Sequence, residues 1–350
     1  MPAKKSATSG AKSTANDAAK KGASDASGTS AKPSSTTRAS TKRAAAKQVL
    51  KTANGDNIAA DIALPPHRNC GTMANHMRLL EMYPGFRDKL FALEEATQKY
   101  RSTGKPISAV KIATMKVVVN VVYNTPSQNI SDAQIATQIA ALNKDFRATN
   151  TDKAGTPAAF KGLISDPKIV FTLDHVTRTH TAKTSFSDDN GVKHVATGGV
   201  AAADTTKFLN LWVCPLGGGL LGYAQFPGGP TATDGVVIHY LAFGTSGTAQ
   251  TPYNLGRSAT HEIGHFFNLH HIWGDTSNCS GTDSVADTPN AAGPNFGKPV
   301  FPVVTCNNGP NGDMFMNYMD YVDDDSMFMF TAQQVARMRA TLDGPRRSMW

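Results

Sequence analysis

From Ile263 to Trp350 the chain contains no glutamate. It has no run of apolar residues long enough to cross a bilayer as a helix. Its start, Met1-Pro2-Ala3-Lys4-Lys5, lacks the apolar stretch of a secretory signal. The first 48 residues hold no aromatic side chain and consist mostly of Ala, Ser, Thr, Lys and Gly. Such a segment buries too little surface to offset its ordering entropy, so a disordered basic tail is expected over 1–48. The net charge of +8 sits there: residues 1–50 carry ten bases and two acids, and the other 300 residues balance. A Lys/Ala-rich tail can bind nucleic acid or an anionic surface weakly. A solubilising extension with no partner is the plainer reading. At 350 residues and 40% hydrophobic, the chain has enough for one domain of roughly 200–250 residues plus extensions.

What is present is His261-Glu262-Ile263-Gly264-His265, followed by Asn268 and His271. On a helix, positions i and i+4 share a face, so His261 and His265 can offer imidazoles to one ion. A catalytic zinc takes three protein ligands and keeps one position open. His271 supplies the third if the helix ends first and the chain turns back. Asn268 lies where that turn is needed, and Asn tolerates the left-handed conformation. Glu262 is placed to take a proton from water on the ion. The short motif alone arises by chance in ordinary helices; the third histidine makes it specific. Some enzymes of this kind draw the third ligand from a later glutamate, and none exists here. Aspartates remain, among them Asp275, Asp283, Asp287, Asp313 and Asp320. Asp275 is the nearest rival, but imidazole suits zinc well and His271 is favoured.

Elsewhere the patterns alternate. Residues 76–100 read as helix broken at Pro84-Gly85, and 116–123 as a buried strand. Ser131 caps an expected helix over 131–147. Strands are expected at 169–173, 208–213 and 236–240, with an edge strand at 222–226. The histidine helix is expected over about 255–268, and a last helix opens at Thr331.

Downstream, Met316-Asn317-Tyr318-Met319-Asp320-Tyr321 resembles the Met-turn of metzincin metalloproteases. Three further stretches resemble the pappalysin family: Leu220-Leu221-Gly222-Tyr223-Ala224-Gln225-Phe226-Pro227, Asp234-Gly235-Val236-Val237-Ile238 and Asp287-Thr288-Pro289. The resemblance covers roughly 65–342. It is strongest to the microbial, single-domain members of the ulilysin and cytophagalysin type. It departs from the usual motif in having Asn268 where glycine is common.

The resemblance implies an α+β metzincin-type zincin. A twisted mixed β-sheet and the active-site helix form an upper subdomain, and the lower subdomain is irregular. It implies a zinc endopeptidase acting on proteins or peptides, with Glu262 as general base and His261, His265 and His271 on zinc. Met319 becomes the Met-turn methionine, and Tyr321 the residue that hydrogen-bonds the reaction intermediate. Gly222, Tyr223 and Ala224 would hold substrate as an added strand. A disulfide between Cys279 and Cys306 is implied, and with it an oxidising, extracellular setting that conflicts with the missing signal. Calcium is also implied, with Asp275, Asp283 and Asp287 as the acid-bearing loop. Cys214 reads as a buried free thiol. Arg68-Asn69-Cys70-Gly71-Thr72-Met73 resembles a cysteine switch, in which Cys70 occupies the open zinc position. The chain then divides into a tail (1–48), a prosegment (49–105) and a catalytic domain (106–350), with cleavage near Arg101 or Lys105. The alternative is a catalytically silent zincin-fold protein that binds nucleic acid or anionic surfaces through its tail. Nothing in the sequence bears on oligomeric state.

Overall fold

A computed structural model describes residues 50–51, 57–58, 62–104 and 109–350. The expected tail disorder and the candidate cut at Lys105 lie outside the described residues.

Five strands form one sheet: β1 (Ala113–Tyr123), β2 (Ile169–His180), β3 (Phe208–Cys214), β4 (Gly222–Ala224) and β5 (Val236–His239). Their spatial order is β2-β1-β3-β5-β4. The first four are parallel, and β4 runs antiparallel to β5 at the edge. The central strands read as continuous apolar runs because both faces are covered. Val117, Val118, Val119, Val121 and Val122 are all fully buried. β2 runs past the expected 169–173 as far as His180. Its polar second half has weak strand character of its own, but it pairs with β1 up to Tyr123. Neighbour pairing overrides local pattern here.

The helices follow their caps. The Ser131 hydroxyl accepts from Gln134 N and opens α3 (Asp132–Asp145). Gly85, at φ +83°, separates α1 (Thr72–Met82) from α2 (Phe86–Ser102). Every residue of α4 (Arg257–Phe266) is buried, and the helix packs under β4 and β5. Thr331 and Gln334 form a capping box that opens α5 (Ala332–Asp343), on which α2 docks. Between α4 and α5 lies a loop-rich segment. It is clamped by a Cys279–Cys306 bond and by one short strand pair, Phe296–Gly297 with Tyr321–Val322. Cys70 and Cys214 are both unbridged, and Cys214 is buried. The mixed sheet over an irregular lower part is the α+β architecture expected.

One lysine behind the edge strand carries a pH signature. Lys193 is buried with its ammonium over the Trp212 and Tyr223 rings, and it donates to the Thr233 carbonyl at 2.7 Å. Burial pulls its pKa from 10.5 down to about 7. Between those values the unfolded chain binds more protons than the folded one. Stability therefore rises with pH through that window, and the cost of burying the charge is complete below it. Lys193→Met should raise the melting temperature more at about pH 6 than at about pH 10. An equal gain at both pH values would refute this.

Candidate active site

The site is built where α4, the turn after it and the 317–322 segment meet below β4. Helix α4 starts at Gly256, which takes φ +78°. It ends as Phe267 N bonds back to Ile263 O and Gly264 O. Asn268 then adopts φ +71°, the left-handed turn its position called for. The chain reverses and brings His271 against His261 and His265. The three Nε2 atoms lie 3.1–3.2 Å from one another.

Those contacts are not hydrogen bonds. Each Nδ1 faces an acceptor: His261 the Tyr318 carbonyl at 2.7 Å, His265 the Leu269 carbonyl at 2.7 Å, His271 the Asp275 carboxylate at 2.5 Å. A carbonyl only accepts, so the ring proton is on Nδ1 and three Nε2 lone pairs converge. Burial holds His261 and His265 well below the usual histidine range, hence neutral. Three nitrogen lone pairs at this spacing repel unless a cation lies among them. Nitrogens bound to one zinc at about 2.0–2.1 Å stand just over ~3 Å apart, so the donor set fits zinc. Cys70 Sγ completes the cluster: its sulfur and the histidine nitrogens all lie within 4.8 Å of one another. Burial, then the nearby Glu262 charge, raises the Cys70 thiol well above its ordinary value. A thiolate at this place therefore depends on a cation.

Glu262 lies on the same helix, fully buried, with burial lifting its carboxyl to about 7. Its Oε2 accepts from Thr72 Oγ1 at 2.7 Å and lies 3.3 Å from Cys70 Sγ. Two glycines let the parts close up. A Cβ on Gly264 would stand 2.4 Å from Met319 Sδ, so the methionine packs directly beneath the histidine helix. A Cβ on Gly222 would meet Glu262 Cγ and Val237 O, both at 2.8 Å. Tyr321 packs edge-on against His271 at 4.9 Å.

Residues 68–75 thread the cleft along β4. Asn69 O accepts from Leu221 N, and Gly71 N donates to Gly222 O. Thr72 Oγ1 accepts from Ala224 N, and Asn75 Nδ2 donates to Ala224 O. Gly222 and Ala224 thus turn their backbone to the cleft. Tyr223 does not. Leu221 O and Gln225 N pair toward β5, and the period of two gives Tyr223 the same direction. Its side chain is buried behind the sheet with Trp212. Tyr223 packs behind the strand rather than in the cleft.

Two further expectations change. Asp275, weighed as a rival ligand, lies against His271 Nδ1, on the far side of the ring from the converging Nε2 atoms. Trp273 stacks on the same ring at 4.4 Å. The acids named for calcium do not converge among the described residues. Asp283 accepts from Thr288 Oγ1 and Val285 N, and Asp287 from Thr331 Oγ1 and Gln333 N. Sequence reading named Arg68 only as part of the switch stretch and gave it no partner. Its buried guanidinium donates to Asp324 Oδ1 at 2.6 Å, to Val322 O and to Ser258 Oγ. No local signal marks that contact, which joins residues 256 apart.

Comparison with known proteins agrees with this geometry. The Peptidase M43 family, described as "Pregnancy-associated plasma protein-A", matches residues 198–343. An "Extracellular metalloprotease" of Pyricularia oryzae is 34% identical over 237 residues, covering 66% of this chain and 74% of its own. One from Podospora anserina is 31% identical, covering 77% and 87%. Among solved structures, a Tannerella forsythia promirolysin mutant superposes with TM-score 0.73 at 44% identity, covering 81% of this chain and 97% of that one. Tannerella forsythia mature mirolysin in complex with a cleaved peptide gives TM-score 0.67 at 50% identity, covering 69% and 96%. The chain belongs to the Peptidase M43, or pappalysin, family: it is a zinc metalloendopeptidase of the metzincin type.

Proposed function

We propose that the chain is a latent endopeptidase whose residues 62–104 plug its own cleft. His261, His265 and His271 would hold zinc, and Cys70 would take the fourth position until the plug leaves. The convergence of three proton-free Nε2 atoms beside a buried glutamate carries this reading. Zinc, when bound, polarises the scissile carbonyl and makes water a nucleophile near neutral pH. Glu262 takes the water's proton on its carboxylate and returns it to the leaving amine nitrogen. Gly222 O, Ala224 N and Ala224 O bind the substrate backbone as an added strand. The Tyr321 hydroxyl donates to the developing oxyanion.

The plug also supports a substrate class. Arg68 fills a buried site in which Asp324 Oδ1, Val322 O and Ser258 Oγ all accept from it, under the face of Tyr253. Asp324 Oδ2 is fixed by Leu255 N and Arg257 N. Once Arg68 leaves, that site suits a basic side chain beside the cut bond.

The boundary near 105 and the cut at Arg101 or Lys105 belong to the same proposal. A secreted enzyme suits the Cys279–Cys306 bond and the relatives named extracellular metalloproteases. Among the described residues no helix is long and apolar enough to cross a membrane. Calcium rests on the family likeness alone. Nothing favours the silent binding protein or nucleic-acid binding by the tail.

The test compares the full chain with the processed chain that starts near residue 106, on peptides with arginine or alanine beside the cut bond. The processed chain should be the faster by at least ~100-fold, with arginine preferred, and Asp324→Asn should lose most of that preference. Equal rates before and after processing would end the latency reading. An unchanged preference in the variant would end the Asp324 assignment.

A further inference from the structure

We infer that Thr72 is a second lock on the catalytic base, able to hold the chain latent when the Cys70 thiol is gone. This rests on the protease reading above and goes beyond the thiol. Thr72 is completely buried, and its hydroxyl lies between two groups that hydrolysis needs. Ala224 N lies 2.8 Å away on one side and Glu262 Oε2 2.7 Å away on the other.

The direction of the first bond is forced: a backbone N–H can only donate, so the hydroxyl oxygen accepts from Ala224. Its own proton is then free to go to Glu262 Oε2, the acceptor on the other side. One oxygen thus holds a lone pair of the base and also the edge-strand donor that would greet a substrate carbonyl. Such a bond is strongest when the buried carboxylate is ionised.

The hydroxyl has no competing structural task. Thr72 opens α1, but the cap position is Gly71 and no side chain caps that end. Its place is set by the chain around it. A Cβ on Gly71 would stand 2.9 Å from Asp188 Cβ, so the backbone hugs the cleft wall there. Asn75 Nδ2 reaches Ala224 O at 2.9 Å, one helical turn on. Arg68 is anchored on the other side of Cys70 at Asp324. The segment is pinned on both flanks of the thiol, so losing the sulfur leaves Thr72 where it is.

The experiment uses the full chain carrying Cys70→Ala, alone and with Thr72→Val or Thr72→Ser. Valine keeps the shape and removes the hydroxyl; serine keeps the hydroxyl and trims the shape. Initial rates on a short arginine peptide are read before any chain is cut, with cutting followed on gels and folding by melting temperature. Cys70→Ala alone should stay well below the processed chain. Adding Thr72→Val should raise its rate about tenfold, the worth of one good hydrogen bond to a charged group. Adding Thr72→Ser should leave it near the Cys70→Ala rate. The inference is overturned if Cys70→Ala already matches the processed chain, if Thr72→Val adds nothing, or if serine releases activity as valine does. An inactive processed chain would instead count against the protease reading itself.

Discussion

Replacing Glu262 with glutamine should slow the processed chain on a short peptide by about 10²–10⁴-fold in kcat/KM, with zinc content unchanged. The substitution is nearly isosteric, so the contact with Gly222 above it persists. The three histidines keep their Nδ1 partners at Tyr318, Leu269 and Asp275, so the metal donors are untouched. Only proton acceptance is lost. Among the described residues Glu262 is the one carboxylate hydrogen-bonded to the Cys70 and Thr72 side chains that plug the site, and no glutamate follows it in the chain. Metal analysis beside steady-state kinetics checks the outcome. A variant with activity within about tenfold of the parent would show that another group moves the proton.

The second large effect separates His271 from Asp275. His271→Ala should lose stoichiometric zinc and fall to background activity, because two nitrogens remain where three converge. Asp275→Asn should keep zinc at saturating metal and lose about 10–100-fold in metal affinity or activity. An asparagine oxygen can still accept from His271 Nδ1, but the carboxylate charge that strengthens the ligand is gone. Trp273, stacked nearly parallel on the same ring, holds the orientation in part. If Asp275 were instead the third ligand, the two variants would exchange places. Zinc titration of both proteins decides between these outcomes.

Much of the site was legible because its signals are local. The i, i+4 histidines, the glutamate between them and the turn-permitting Asn268 fall within eleven residues. Their joint meaning depends only on helix geometry and one reversal. The helix starts at Ser131 and Thr331 were readable for the same reason: a cap and its partner are three residues apart. The buried strands announced themselves as apolar runs. The end of β2 did not, since Arg178 and His180 are in a strand only because β1 lies alongside.

The sequence by itself determined the metal-binding face of α4, the reversal that returns His271, and, through family likeness, the chemistry. Tertiary structure decided the rest of the site: that Asp275 lies behind the His271 ring, that Tyr223 faces away from the cleft, and that Arg68 and Thr72 fill it. The physical reason is separation. Arg68 meets Asp324 across 256 residues, and Thr72 meets Glu262 across 190. An arginine or threonine in an N-terminal segment carries no mark of its partner. That pairing exists only once the sheet edge, the histidine helix and the 317–324 segment have closed around one cleft.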